Sequence, residues 1–314
     1  MLEKILITGI AGFLGSNLTK KLATKGYDVF GVDDLSAGEM NFIPKEFFQQ
    51  ENHSRAFRMS DFSDDSILND IKNKKYDVII HLAAQPRVGY TVDNPYLSND
   101  TNVSKSLKLL ECARDNVRRF INISSSAVYG DNLIPTHENY TLKPQSPYAL
   151  QKMTMEKYCE LFSNLYGLDT VSIRPFNIFG PNQKGDGAYS TAVSAWMYAI
   201  KNNEPLRSDG TGEQTRDMVY VDNVVDIITR ALEHSSFFNG NVFNAGTGTS
   251  ISNNLILDWF RKNFPNCQVN SAPARLGDVL NTKADISRTK DVLGYSPIVD
   301  FWEGIELTRR WMNI

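Results

Sequence analysis

The strongest restriction on the fold stands at the start of the chain. Lys4-Ile5-Leu6-Ile7-Thr8 is a short run, continuous in its apolar character, of the kind that forms a strand buried on both faces. Gly9-Ile10-Ala11-Gly12-Phe13-Leu14-Gly15 follows, then a helix pattern through about Lys25 and a second strand, Asp28-Val29-Phe30-Gly31-Val32. Together they make a βαβ unit with its glycines at the first turn. The glycines let backbone amides approach a pyrophosphate at the helix N-terminus. Asp33 closes the second strand, 18 residues after Gly15. Its carboxylate can accept hydrogen bonds from both hydroxyls of an adenosine ribose and would repel a 2′-phosphate. The unit therefore predicts NAD in preference to NADP.

More βα units follow. Arg55–Phe57 reads as a weak strand ending near Asp61-Phe62, before a helix from about Asp64 to Asn73. Tyr76–Leu82 is a clear strand ending in Ala83-Ala84-Gln85, small residues where a cofactor could pass close. A long helical stretch from about Pro95 to Asn116 leads to Phe120-Ile121-Asn122-Ile123, a buried strand with Ser124-Ser125-Ser126 at its end. Such alternation predicts an α/β fold: a Rossmann-type doubly wound parallel sheet with its site at the strands' C-terminal ends.

The second half is less regular. A strand at Thr170–Arg174 runs into the turn-rich Pro175–Pro181, and the loop Gly185-Asp186-Gly187 precedes a helix through Trp196 to Asn202. Asp209–Gly212, a short strand ending Tyr220-Val221, a helix from Asp222 to Glu233 and a last helix from Trp302 to Met312 complete the pattern. No repeat or linker composition separates the halves. The expected division is an NAD-binding part over 1–175, with returning segments near 218–245, interleaved with a smaller α/β C-terminal substrate-binding domain over 176–314.

Tyr148 and Lys152 stand four apart just after Ser146-Pro147, a helix-start signal. Residues at that spacing share one helix face, so phenol and ammonium can point into one cavity. A free tyrosine has a pKa of about 10. A nearby cation favours the phenolate; Lys152 can supply one charge and an oxidised nicotinamide a second. A serine hydroxyl at the strand end can then orient a substrate oxygen. The trio suits removal of a proton and a hydride from an alcohol carbon.

Composition excludes other classes. A net charge of −3, without a basic run, leaves no nucleic-acid footprint. Cys112, Cys159 and Cys267 are far apart and form no CxxC, and His53, His81, His137 and His234 are scattered, so no metal is expected. The N-terminus runs straight into a strand, leaving no room for a signal peptide, and no apolar run approaches the roughly 18 residues of a membrane span. A cytoplasmic protein is expected.

Thr8-Gly9-x2-Gly12-x2-Gly15, His81-Leu82-Ala83-Ala84, the serine strand and Tyr148-x3-Lys152 together resemble the extended short-chain dehydrogenase/reductase family, nearest its nucleotide-sugar epimerases and dehydratases. The resemblance implies NAD as cofactor and a nucleoside diphosphate sugar, with UDP as its nucleotide, as substrate. It places Phe13 and Leu14, with Gly9, Gly12 and Gly15, at the pyrophosphate. Asp33, Asp34, Ser36 and Gly38 would flank the adenosine, and Asp61 and Phe62 the adenine. Leu82, Ala83, Ala84, Gln85 and Asn102 would line the cofactor's middle, with Ser124, Tyr148, Lys152 and Phe176 toward the nicotinamide. Ser125, Tyr148 and Lys152 match the catalytic trio. On the substrate side, Asn177, Arg216 and Arg275 resemble the groups that hold the diphosphate, and bidentate guanidinium forks suit phosphate oxygens. Asp278 would meet a ribose hydroxyl, and Ser126, Val193 and Arg207 complete the implied set.

Dehydratases of this family carry an Asp-Glu pair directly after the strand-end serine or threonine; here those positions are Ser126 and Ala127. Without an acid for elimination, reversible oxidation at C4 is expected: a 4-epimerase passing through a 4-keto sugar. Thr282, four residues after Asp278, occupies a position that in relatives limits room near the sugar's C2 substituent. Its small size, with the Gly187–Val193 stretch, points to UDP-GlcNAc and UDP-GalNAc, with UDP-glucose and UDP-galactose as further substrates. Arg87, in the Pro86–Tyr90 segment expected to overhang the sugar, keeps UDP-glucuronate open. A non-catalytic NAD-sensing regulator is the rival from another class, though such proteins typically lose the Tyr or the Lys that this chain keeps; another NAD-dependent nucleotide-sugar dehydratase or reductase, the latter working by net oxidation or reduction, is the second rival. The long helices at about 95–116 and 147–166 predict a homodimer through a four-helix bundle.

Overall fold

The computed structural model describes residues 3–48, 56–185, 191–273 and 279–314. In chain order the first half contains β1 (Lys4–Thr8), α1 (Phe13–Thr24), β2 (Asp28–Asp33), α2 (Lys45–Phe48), β3 (Phe57–Met59), α3 (Asp65–Lys72), β4 (Val78–His81), α4 (Val88–Asp93), α5 (Pro95–Asn99), α6 (Ser106–Ala113), β5 (Arg119–Ile123) and α7 (Pro147–Tyr166). The second half adds β6 (Asp169–Pro175), β7 (Asn177–Phe179), α8 (Ala192–Lys201), β8 (Leu206–Asp209), β9 (Thr215–Arg216), β10 (Met218–Tyr220), α9 (Val221–Glu233) and β11 (Val242–Ala245). Then come β12 (Ile251–Ser252), α10 (Asn253–Asn263), β13 (Val269–Ala272), α11 (Ser287–Leu293) and α12 (Phe301–Met312).

Seven strands form one parallel sheet in the order β11-β6-β5-β4-β1-β2-β3. Its strands read as continuous apolar runs because both faces are covered. Ile5, Ile7, Val29, Ile80, Ile121 and Val171 join Leu18 and Leu22 of α1 and Ile227 and Ile228 of α9 in one core. Their neighbours Leu6, Val32, Ile79 and Phe120 point the other way, into a second core with α3, α6 and α7. The period-2 alternation along each strand thus serves two helical layers. The strand order reverses about β1, and a crevice opens there at the C-terminal ends of β1 and β4.

The remaining strands pair two by two: β7 with β10, β8 with β13, and β9 antiparallel to β12. They pack with α8, α10 and α12 around buried Trp196 and Phe260, whose rings meet edge to face.

Three differences from the sequence expectation bear on the site. The stretch expected as one helix from Pro95 to Asn116 is interrupted by a π-helical turn at Asp100–Lys105 and stops at Ala113. Within Pro86–Tyr90, for which no helix was expected, a short helix, α4, begins at Val88. The weak early strand is β3, Phe57–Met59; Arg55, where it was expected to begin, lies outside the described residues.

Candidate active site

A cavity of about 460 Å³ occupies the crevice. Gly9, Gly12, Phe13, Leu14 and Gly15 form its floor, Asp33, Asp34, Ser36 and Gly38 one wall, and Asp61 and Phe62 its far end. Leu82, Ala83, Ala84, Gln85 and Arg87 form the other wall. The glycines are sterically required. Gly9 has φ +74°, and a Cβ there would stand 2.9 Å from the Ala83 amide nitrogen; a Cβ on Gly15 would collide with the Gly9 carbonyl oxygen. No side chain caps α1, so its first-turn amides are left to the cleft.

Asp33 is buried and anchored by two backbone amides: Ala11 N donates to Oδ2 at 2.9 Å and Leu35 N to Oδ1 at 2.8 Å. Burial raises its carboxyl above the usual range, and the two amides oppose the shift. At the far end of the cavity, Asp61 accepts from Ser63 N and Oγ and from Lys105 Nζ at 2.7 Å. Burial alone would raise Asp61, but the Lys105 and Ser63 contacts outweigh it and hold the carboxyl below its ordinary value.

The π turn has a visible purpose. It aims Asn102 at Gln85, whose amide donates to Asn102 Oδ1 at 2.7 Å and whose carbonyl accepts from Nδ2 at 3.1 Å. Asn102 Nδ2 also donates to Gln151 Oε1, and Gln151 Nε2 to Ser98 Oγ. The cleft wall is thereby tied to the helix that carries Tyr148 and Lys152. His81 is inert: buried between Thr8 and Ser106 hydroxyls at 2.7 and 2.9 Å, it is pushed down to about 3 by burial, with Lys152 adding to the effect.

The trio assembles at the end of β5. Pro147 opens α7, Ser146 Oγ accepts from Ala149 N, and Thr91 Oγ1 accepts from Tyr148 N, so three residues satisfy the amides of the first turn. Ser125 Oγ accepts from Ala127 N at 3.1 Å and faces the Tyr148 phenol. Burial raises the Tyr148 hydroxyl above its ordinary value, and the Ser125 contact opposes this. Lys152 Nζ lies 5.9 Å from the Tyr148 ring centroid and donates to the Ile123 carbonyl at 2.7 Å. Burial pushes the ammonium down to about 8, against the pull of Glu156. Ser124 Oγ is buried and has no hydrogen-bond partner among the described residues. Phe176 is buried beside Tyr129, their ring centroids 6.3 Å apart.

A second cluster draws on three distant segments. Thr282 Oγ1 accepts from Asp217 N at 3.1 Å and lies 3.5 Å from Asn177 Oδ1, while Arg216 Nη1 donates to the carbonyls of Thr215 and Leu280. The residue sequence reasoning missed is Asp217, wholly buried, whose carboxylate accepts from the amides of Thr247, Gly248 and Ala284 and from the Thr247 hydroxyl. An acid directly before a buried strand was the available signal. Asn182, Gln183, Lys184 and Lys105, which border the dinucleotide cavity, were missed as well. Other expected residues are not brought to this cluster. Val193 is fully buried in α8, Arg207 is exposed and paired with Asp209 at 2.8 Å, and Arg87 is exposed at the rim of the dinucleotide cavity. Ser126 is half-buried on the turn after β5. Arg275, Asp278 and the 187–190 part of the Gly187–Val193 stretch lie outside the described residues. No group of three or more His, Cys, Asp or Glu among the described residues is arranged to hold a metal, and no helix there is long and apolar enough to cross a membrane.

A glycine floor at a helix N-terminus, an anchored acid at the end of the second strand and a tyrosine–lysine helix tied to the same cleft define a dinucleotide-dependent enzyme of Rossmann type. The model of the NAD dependent epimerase/dehydratase family matches residues 5–246, and the chain belongs to that family. Its cofactor is NAD, and the glycine floor, Asp33 and the orphaned Ser124 hydroxyl fit that group. The chain is similar to a UDP-glucose 4-epimerase of Mycolicibacterium smegmatis, 35% identical over 311 residues covering 97% of each protein. It is also similar to a UDP-glucuronate 4-epimerase of Thermodesulfobacterium geofontis, 30% identical over 98% of this chain and 95% of the other. Among solved structures, a UDP-N-acetylglucosamine 4-epimerase from Methanobrevibacter ruminantium, in complex with UDP-N-acetylmuramic acid, superposes with a TM-score of 0.90 at 31% identity, covering 100% of this chain and 99% of that one.

Proposed function

We propose that the protein is a UDP-sugar 4-epimerase that inverts C4 through a transient 4-keto sugar. The observation that carries this reading is the meeting of Ser125, Tyr148 and Lys152 where β5 ends against the helix that Gln151 and Asn102 tie to the cavity wall, with Ser126 and Ala127, neither a carboxylate, in the two positions that follow. NAD, when bound, supplies the acceptor and later the donor of the C4 hydride. Tyr148 takes the C4 hydroxyl proton as phenolate and gives it back to the same oxygen once the hydride has returned to the opposite face of C4; Ser125 orients that oxygen, and the Lys152 charge favours the phenolate. Asn177 and Arg216, with Arg275, grip the diphosphate, so that the hexose can turn over while the nucleotide stays fixed. In this reading residues 1–175 and 218–245 serve NAD, and 176–314 the nucleotide sugar.

UDP-GlcNAc and UDP-GalNAc are the proposed substrates, supported by the small Thr282 beside Asn177 and by likeness to an epimerase of that specificity. UDP-glucose is the nearest alternative. UDP-glucuronate is a second reading, favoured by Arg87 at the cavity rim. The test is incubation of purified protein with UDP-GlcNAc without added reductant, followed by proton NMR. UDP-GalNAc should appear, and Tyr148→Phe should abolish it. Turnover of UDP-glucose or UDP-glucuronate alone would move the substrate and keep the chemistry; silence on all three would sink the epimerase reading.

A further inference from the structure

The buried layer beneath the trio holds more charge than the trio uses. Glu156 lies on α7 one helical turn after Lys152, so the two side chains share a face. Arg174 of β6 grips the Glu156 carboxylate with both forks, Nε to Oε1 at 2.8 Å and Nη2 to Oε2 at 2.6 Å. Its Nη1 donates to the Glu138 carbonyl and its guanidinium lies 4.7 Å from the Tyr129 ring centroid. The Glu156 and Arg174 side chains are only 3% and 4% exposed. Lys152 meets a neutral carbonyl, that of Ile123.

We propose that Glu156 is a positioning residue for the reaction: fixed by Arg174, it supplies the buried negative charge that holds the Lys152 ammonium beside Tyr148. Two cations, Lys152 and Arg174, and two carboxylates, Glu156 and Glu138, are buried here; Glu138 Oε1 accepts from Asn244 N and only its carbonyl meets Arg174, whereas Glu156 shares a helix face with Lys152. Arg174 consumes the Glu156 carboxylate's hydrogen-bonding capacity, but the charge still acts across one helical turn in a medium that screens poorly. The charged and titratable groups facing Lys152 are Tyr148 and Glu156 on its own helix and His81 on β4, with Arg174 of β6 behind Glu156. His81 is neutral through the working range. On the other elements packed against α7, Asp93 and Glu111 are exposed, Lys105 pairs with Asp61 and Asp100, Lys108 lies near Asp65, and Arg119 pairs with Asp169.

The inference rests on the reading of Lys152 as catalytic, and the test separates the two. Lys152→Met must silence turnover; if activity survives, the catalytic reading fails first. With Lys152 confirmed, its titration is followed by the Cε carbon signal of labelled lysine, assigned by its loss in Lys152→Met, alongside the pH profile of kcat. Glu156→Gln should lower the Lys152 midpoint and the alkaline limb of kcat by about one pH unit. KM for the nucleotide sugar should stay within about twofold, and Glu156→Asp should restore part of the shift. A uniform loss of kcat with midpoint and limb unmoved would mean a merely structural ion pair and overturn the proposal. Removing one partner of a buried pair is strongly destabilising. If Glu156→Gln does not fold, the doubly neutral Glu156→Leu, Arg174→Met variant takes its place, with a shift in the same direction expected but a smaller one, because the more distant Arg174 cation leaves with the carboxylate. A Lys152 already deprotonated at neutral pH in the intact protein would overturn the proposal with no variant needed.

Discussion

Burial works against function at Lys152 and Tyr148, and the conflict can be measured. The Lys152 ammonium, pushed down to about 8, is disfavoured in the folded protein relative to the unfolded chain. Because the unfolded state holds the proton to higher pH, stability rises with pH between about 8 and the ordinary lysine value. Lys152→Met should therefore be more stable than the native protein at neutral pH by about 2–3 kcal/mol, the difference shrinking above pH 8. Paired denaturant titrations at pH 7 and pH 10 check it. Activity has the opposite sign, since the charged form is the working one, and kcat should fall as pH rises through this range. Tyr148→Phe keeps the ring and removes the proton carrier, so turnover should drop by about 10²–10⁴-fold with the fold intact. Residues of this kind were legible in the sequence because their spacing along one helix fixes a shared face. Asp217 was legible only as an acid directly before a buried strand: its partners Thr247, Gly248 and Ala284 are brought to it by the fold, and no local pattern announces them.

At the scale of elements, legibility followed burial. β1, β4, β5 and β6 are buried along nearly their whole length, and each stood out as an apolar run. The π turn at Asp100–Lys105 did not, because its cause is tertiary: the Asn102 amide satisfies both backbone groups of Gln85. α4 was hidden for a similar reason, since its Thr91 hydroxyl caps another helix, α7. The turn between β1 and α1 gives the sharpest element-scale prediction. Gly15→Ala must displace either α1 or the Gly9 carbonyl, so NAD affinity should fall at least about tenfold, or about 1.4 kcal/mol. Calorimetric NAD titration measures this, and unchanged affinity would refute the packing argument.

Over the whole molecule, two features remain to be joined. Tyr96 and Leu97 on α5 and Leu150, Leu161 and Leu165 on α7 are exposed, and the three leucines fall in one stripe along their helix. We propose that this face pairs with its copy across a twofold axis as a four-helix bundle. Sedimentation should give about twice the 35.4 kDa chain mass, and Leu161→Glu with Leu165→Glu should give the single-chain value. The second cluster, Asn177, Arg216 and Thr282, shows where sequence reading reached its limit. The resemblance named these residues, but only the pairing of β7 with β10 and the bridge from Thr215 to Asn281 bring them together.

The central claim is that C4 is oxidised and the same hydrogen returns to the other face. The most direct measurement uses UDP-GlcNAc bearing deuterium at C4, in ordinary water, with product analysed by NMR and mass spectrometry. UDP-GalNAc should form with the deuterium retained at C4 and no solvent hydrogen in its place. Deuterium lost to solvent, or inversion at another carbon, would contradict it.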